Sequence, residues 1–347
     1  MSQAKGYSRA QILGIGHAMC DISVELEIQA WNAFRTAFSW LASGAPVHLD
    51  AARAHSILSY LEERAAQGQG RIFYAAGGSA LNVVRVASLL GTKASFVGCV
   101  GDDAYGDVVR AGLIHAEVES LLGTLSGQGT TGIFCTVSPM AGQGAGADAS
   151  AGRIVFASPS AARRVRDMGF GGFDVGKVEL IHAEGLLADS PRNLESLFQR
   201  ARDMKKMVSL DVVSSEAARR NRDTLKRLIQ RYADFVFCNK GEFEALGMEV
   251  EGCRPEIVWL IKADRAGVDC CAEGRRIHVD APQCAVVDEL GAGDAFAGAF
   301  LSGRLAGLPL DRCLRLGTEA AACALQSRGP EPDARCLGAL SREILAG

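Results

Sequence analysis

A chain of 347 residues exceeds the size at which one small core stops growing, which predicts one large domain with an appendage. At 48% apolar and 22% charged it lies outside the disordered classes, and a net charge of −3 argues against nucleic acid or an anionic membrane as the main partner. The eleven cysteines form no C-x-x-C pair, which excludes a clustered zinc site and predicts free, mostly buried thiols in a reducing cytoplasm.

The first residues carry no apolar signal region and no uncharged apolar run reaches membrane-spanning length, so a cytoplasmic protein is expected. Gln11–Gly16 reads as a buried strand leading into a loop. Residues 17–49 hold a polar-alternating run from Asp21 to Ile28, an amphipathic stretch and a second strand near Pro46–Leu49. From about residue 70 short apolar runs alternate with amphipathic ones. Strands are predicted at Arg71–Tyr74, Ala94–Val100, Val178–Ala183, Met207–Val212, Phe235–Cys238 and Ile257–Ile261, with helices at about 79–90, 104–116, 190–206 and 214–231. That alternation means βαβ units and a mainly parallel sheet covered on both faces. Residues 130–158 interrupt it with two β-rich runs, Thr131–Val137 and Arg153–Ala157, around the Gly/Ala-rich stretch Ala141–Gly152, read as a hairpin tip. The insertions 17–49 and 130–158 are read as a small β lid on a single domain spanning 1–347. After Ala292 three helices are expected, at about 292–306, 310–327 and 333–346, with prolines in the gaps.

Four segments carry chemistry. In Val287-Asp288-Glu289-Leu290-Gly291-Ala292-Gly293-Asp294, two glycines open a helix whose N–H groups can bind anionic oxygens. An Asp at that end can take a proton from an attacking hydroxyl. A helix-capping acid is the plain alternative. The helix that follows is apolar nearly all round, and an uncompensated acid at its buried end is costly, which favours a functional one. Ala76-Gly77-Gly78-Ser79-Ala80-Leu81-Asn82 joins a strand to a helix, where paired glycines can admit a ligand with Asn82 facing it; taken alone, an ordinary turn capped by Ser79 is the preferred reading. Gly14-Ile15-Gly16-His17-Ala18-Met19-Cys20-Asp21 fails as a dinucleotide fingerprint but suits a strand end followed by an acid able to accept from a vicinal diol. Asn239 and Glu242 could hold a hydrated Mg²⁺ near phosphates, or form a capping box.

Taken in order, these segments resemble the ribokinase-like (PfkB) family of small-molecule kinases over nearly the whole chain. The likeness rests on Gly77, Gly78 and Asn82, on Gly98-Cys-Val-Gly-Asp-Asp103, on Asn239 with Glu242, and on residues 291–294. Within the family, Gly14 to Asp21 and Pro46-Val-His-Leu-Asp50 look most like the adenosine-kinase branch. The resemblance implies a three-layer αβα sandwich with a mainly parallel central sheet and a small β-sheet lid. It implies an ATP- and Mg²⁺-dependent kinase that phosphorylates a primary hydroxyl of a nucleoside or sugar. The free edges of a lid sheet leave monomer and homodimer both open. By that likeness Asp294 is the general base and Gly291, Ala292 and Gly293 form the anion hole. Asp21, His17, Gly77, Gly78 and Asn82 bind substrate, Asn239, Lys262, Gly267 and Asp288 the nucleotide, and Glu242 acts on Mg²⁺ through water. The chain departs from the family at His17 (usually Asn), at Glu289-Leu290 (usually Thr-Thr or Thr-Asn) and at Asp264 (usually Gly). About twenty positions separate Glu242 from Lys262, which is short for a crossover helix. His17 lies close to the substrate and puts adenosine itself in question; the other three departures lie on the nucleotide side, imply altered nucleotide preference or weakened ATP binding, and motivate a rival reading as a ligand-binding regulator that has lost turnover.

Overall fold

In the computed structural model β1 (Ile12–Ile15) and β2 (Met19–Leu26) are three residues apart in the chain yet belong to different sheets. Residues 11–41, 46–127, 129–140, 153–327, 329 and 332–345 are described; the expected hairpin tip Ala141–Gly152 lies outside them. After β2 come α1 (Ile28–Ala37), β3 (Val47–His48), α2 (Ala51–Ala66) and β4 (Gly70–Gly77). Then follow α3 (Ser79–Leu89), β5 (Ala94–Gly101), α4 (Ala104–His115), β6 (Glu119–Leu125), β7 (Gly132–Pro139) and β8 (Ile154–Ser158). The second half runs β9 (Leu180–Glu184), α5 (Pro191–Asp203), β10 (Met207–Asp211), α6 (Ser215–Arg220), α7 (Arg222–Tyr232), β11 (Phe235–Asn239), α8 (Lys240–Leu246) and β12 (Val258–Lys262). It closes with β13 (Val268–Ala272), β14 (Arg275–Val279), α9 (Ala292–Leu305), α10 (Leu310–Leu325) and α11 (Ala334–Leu345).

The larger sheet has nine strands in the order β14-β13-β12-β11-β10-β9-β1-β5-β6, parallel from β12 to β6, with β13 and β14 antiparallel at one edge. Its central strands are buried along nearly their whole length because both faces are covered. Residues of α3 and α9 share one core cluster and residues of α5, α7 and α8 another. Strand alternation divides the side chains between them: Leu180 joins the first cluster and Ile181 and Ala183 the second. Phe296 and Phe300 of α9 meet Phe237 of β11 edge-on, with centroids 6.1 and 5.7 Å away, so the helix carrying Asp294 is seated on the middle of the sheet.

The second sheet is ordered β3-β8-β7-β2-β4. It matches the expected small sheet but recruits β4, which the sequence pattern places in the parallel series. β4 pairs antiparallel with β2 along its whole length, Met19 opposite Gly77 and Leu26 opposite Gly70. Its exposed Arg71, Phe73 and Tyr74 explain the difference, because a strand of the inner sheet would bury both faces. The helix expected at 214–231 is broken at Asn221 into α6 and α7. The short crossover is real: α8 has seven residues and is followed by a 3₁₀ turn at Val250–Gly252. The expectation of free thiols throughout fails at one pair. Cys323 and Cys336 form a disulfide between α10 and α11, their Cα atoms 5.9 Å apart, a juxtaposition that sequence spacing alone does not reveal.

Candidate active site

The two sheets are joined where β1 passes to β2, where β4 passes to α3, and where β5 ends beside β7. At the first joint Glu184, at the C-terminal end of β9 and 1% exposed, holds the chain from behind. One of its oxygens accepts from the backbone N–H of His17 (3.1 Å) and pairs with His17 Nδ1 (2.8 Å), and the other accepts from Ala80 N (3.0 Å) in the first turn of α3. At the second joint Gly78 has φ 109°, and a Cβ there would lie 1.9 Å from the His17 carbonyl oxygen, so only glycine fits. A Cβ on Gly77 would fall inside the Asp21 carboxylate. At the third, Asp103 accepts from Thr131 N (2.7 Å), Thr131 Oγ1 (2.6 Å) and Gly106 N (2.8 Å). Burial alone would raise Asp103, but those bonds outweigh it and hold the carboxyl below its usual range.

Gly291 caps α9 with φ 79°, and Ala292 and Gly293 begin the helix, so their N–H groups open at its positive end. Asp294, in that first turn, accepts from Ser79 Oγ (2.8 Å) and from Asn82 Nδ2 (2.9 Å) of α3. Asn82 Oδ1 in turn accepts from buried Arg85 (3.0 Å), whose guanidinium also donates to Ala76 O (2.8 Å). Ser79 is therefore no helix cap: its hydroxyl serves a carboxylate 215 positions away. Burial pushes the Asp294 carboxyl up to about 6, with Asp211 adding to it, while the bonds from Asn82 and Ser79 and the Lys262 charge pull the other way. Asp21 lies at the edge of the same field. Burial pushes it up to about 7, Arg85 opposing and Asp294 and Asp288 reinforcing.

Asn239 and Glu242 form the capping box of α8: Asn239 Oδ1 accepts from Glu242 N and Glu242 Oε2 from Asn239 N, each at 2.8 Å. Capping leaves the second Glu242 oxygen outside that pair, and burial, with Asp211 beside it, raises its carboxyl above the usual range. Lys262, at the end of β12, donates to Asp211 Oδ2 at 3.1 Å. Asp288 Oδ1 accepts from Leu290 N (3.1 Å) and from Arg153 at the foot of β8 (3.2 Å), and Oδ2 from Gly329 N (3.1 Å). Gly267 closes the turn from β12 to β13 with φ 95°, and a Cβ there would lie 2.0 Å from the Val279 carbonyl oxygen. Of the departures, Asp264 and Glu289 are exposed and bury no new charge.

The structure thus brings together Asp21, Gly77, Gly78, Asn82 and Asp294, with His17 held beside Gly78. Sequence reasoning missed Ser79, Arg85, Glu184 and Asp211. A signal existed for the last two: each is an acid ending an otherwise buried strand, Leu-Ile-His-Ala-Glu184 and Met-Val-Ser-Leu-Asp211. Among the described residues no three or more His, Cys, Asp or Glu side chains are grouped to hold a metal ion directly. A hydrated Mg²⁺ bound mainly by phosphates needs no such group, and the uncapped oxygen of Glu242 suits a metal-bound water. No helix among the described residues is long and apolar enough to cross a membrane.

Known proteins share this architecture. The model of the pfkB family of carbohydrate kinases matches residues 50–335. A segment of 52 residues is 56% identical to the acarbose 7(IV)-phosphotransferase of Actinoplanes sp., which is 15% of this chain and 17% of that one. Adenosine kinase from Sinorhizobium meliloti superposes with a TM-score of 0.79 at 23% identity, covering 97% of this chain and 100% of that one. A probable sugar kinase from Rhizobium etli gives 0.78 at 24% identity (98% and 100% covered). Adenosine kinase from Schistosoma mansoni with 2-fluoroadenosine gives 0.76 at 18% (94% and 98% covered).

Proposed function

This chain belongs to the pfkB family of carbohydrate kinases, a phosphotransferase acting on an alcohol group, and we propose that it moves the γ-phosphate of ATP to a primary hydroxyl of a nucleoside or sugar. The observation that carries the reading is Asp294 in the first turn of α9, behind Gly291-Ala292-Gly293 and fixed by Ser79 and Asn82. A carboxylate raised to about 6 is still ionised at neutral pH and is a better proton acceptor than an ordinary Asp.

In this reading Asp294 takes the proton of the acceptor hydroxyl. The N–H groups of residues 291–293 meet the phosphoryl oxygens as charge grows on them. Asp21, His17, Gly77 and Gly78 shape the substrate side. Asn82 acts at second hand, aiming Asp294 while being aimed by Arg85. Asn239, Lys262, Gly267 and Asp288 line the donor side, and Glu242 orders the waters of Mg²⁺, which neutralises phosphate charge when bound. The second sheet, tied to the body by Arg153 and Asp288, serves as the lid that excludes water. A regulator without turnover would have no use for a buried carboxylate held by two donors, so that rival is not favoured.

The test is ADP release by the parent and by Asp294→Asn over a panel of nucleosides, ribose, fructose, inositols and amino-cyclitol sugars. Asp294→Asn is expected to lose about 10²–10⁴ in kcat on the best substrate. If the parent releases no more ADP than the variant with any acceptor, the reading is lost.

A further inference from the structure

Lys262 ends β12 on the sheet face that α9 covers, one alternation beyond the core residue Leu260. Its ammonium donates to Asp211 Oδ2 at 3.1 Å; the Asp211 side chain is 2% exposed and that of Lys262 21%. A buried carboxylate beside a lysine is commonly no more than a compensated ion pair. Here a second contact points elsewhere. A Cβ built on Gly293 would lie 3.1 Å from Lys262 Nζ and 3.5 Å from its Cδ. The lysine therefore lies across the backbone of the turn whose N–H groups open toward phosphate, in space that any side chain at position 293 would contest. Asp211 uses one of the three N–H bonds of the ammonium. Burial works against its charge, but Asp211, Glu242 and Asp294 outweigh it and hold the ammonium above the ordinary lysine range, so it is charged throughout the working pH range.

We propose that Lys262 is a catalytic residue of the phosphoryl transfer, placing a fixed positive charge against the oxygens of the moving group, and that Asp211 is the positioning residue that holds it there. The inference rests on the kinase reading of the site. In the step, the acceptor oxygen forms its bond to the γ-phosphorus and gives its proton to Asp294. The bond from that phosphorus to the bridging oxygen breaks, and its electron pair leaves with ADP. Lys262 exchanges no proton. It acts because negative charge is redistributed over the phosphoryl oxygens during transfer, and a preorganised cation at the anion hole favours that arrangement over the ground state. Lys262 thus belongs to the reacting phosphoryl group and not to the base or ribose of the nucleotide.

The experiment compares the parent, Lys262→Met, Lys262→Arg, Asp211→Asn and the Asp211→Asn/Lys262→Met pair, with kcat and KM on the best acceptor, ADP affinity by calorimetry, and thermal melting. Expected results are a fall of about 10²–10³ in kcat for Lys262→Met, with the acceptor KM and the ADP affinity each within about threefold of the parent. Lys262→Arg should recover at least about tenfold of that loss, and Asp211→Asn should lower kcat in the parent but have no further effect once Lys262 is Met. If Lys262→Met does not fold, the double variant, which removes both charges, carries the same expectation. A kcat within about threefold of the parent in whichever of these two variants folds overturns the inference while leaving the kinase reading standing. Loss of ADP affinity equal to the loss of kcat also overturns it, since that would make Lys262 a ground-state nucleotide ligand. A parent with no turnover on any acceptor sinks both.

Discussion

Replacing Glu184 by Gln removes one charge and almost no volume, at the point where three backbone and side-chain groups converge. In the parent one oxygen receives Ala80 N at 3.0 Å and the other receives His17 N at 3.1 Å and pairs with His17 Nδ1 at 2.8 Å. A glutamine has one acceptor oxygen. Keeping both His17 contacts turns the amide N–H₂ toward Ala80 N, so a buried donor is orphaned at a cost of about 1–3 kcal/mol. The two surviving bonds change from charge-assisted to neutral, which forfeits about 1 kcal/mol each. Rotating the amide the other way keeps Ala80 N, orphans His17 N and lets the amide N–H₂ donate to His17 Nδ1 in the tautomer that accepts there, so one buried donor is lost in either orientation. The expected loss is therefore about 3–5 kcal/mol, large against the total stability of a folded domain. Equilibrium urea unfolding measures it: the midpoint should fall with the slope unchanged, since the surface exposed on unfolding is the same. A second readout follows from Ala80, which lies in the turn of α3 that also carries Ser79 and Asn82. Loosening it should lower kcat on the best acceptor by about tenfold or more, because a shift of 1 Å in a catalytic group is costly. A stability change under about 1 kcal/mol, with activity intact, would refute the idea that this carboxylate holds the joint.

Asp294 must be ionised to act as base, so kcat should rise with pH through about 6 and then level, and this acid limb should be missing from whatever residual rate Asp294→Asn retains. Asp21 has a folded carboxyl raised to about 7, so its contribution to stability is present in full below the ordinary carboxylate range and is lost as pH rises through about 7. Asp21→Asn should therefore melt higher than the parent at pH 8, with the difference closing toward pH 4.5, while losing acceptor affinity; equal melting at both pH values would contradict the burial argument. The Cys323–Cys336 disulfide closes a 13-residue span between α10 and α11. Cys336→Ser, or reduction by dithiothreitol, should cost about 3 kcal/mol in urea unfolding with little change in kcat, because α11 packs on α3 and α10 and carries none of the residues assigned to the site.

Much of the architecture was legible locally. Short continuous apolar runs mark β5 and β9 to β12, and amphipathic runs with period 3.6 mark α3 to α5 and the stretch that holds α6 and α7, within a few residues, because the burial of each is written in its own side chains. The Gly-Ala-Gly-Asp turn was legible for the same kind of reason: a left-handed Gly291 and an open helix end are properties of a few consecutive residues. Partnership was not. β4 looks like any other strand until its pairing with β2 assigns it to the second sheet, and Cys323 and Cys336 look like two more scattered thiols until α10 and α11 pack. Asn82 has the same residue type whether it faces a substrate or aims Asp294; only the approach of α9 to α3, 212 positions on, decides. Glu184, Asp211 and Lys262 each end a strand that the sequence marks as buried. What makes them a site is that parallel strands place their C-terminal ends side by side, so that groups far apart in the chain come within hydrogen-bond reach of buried carboxylates.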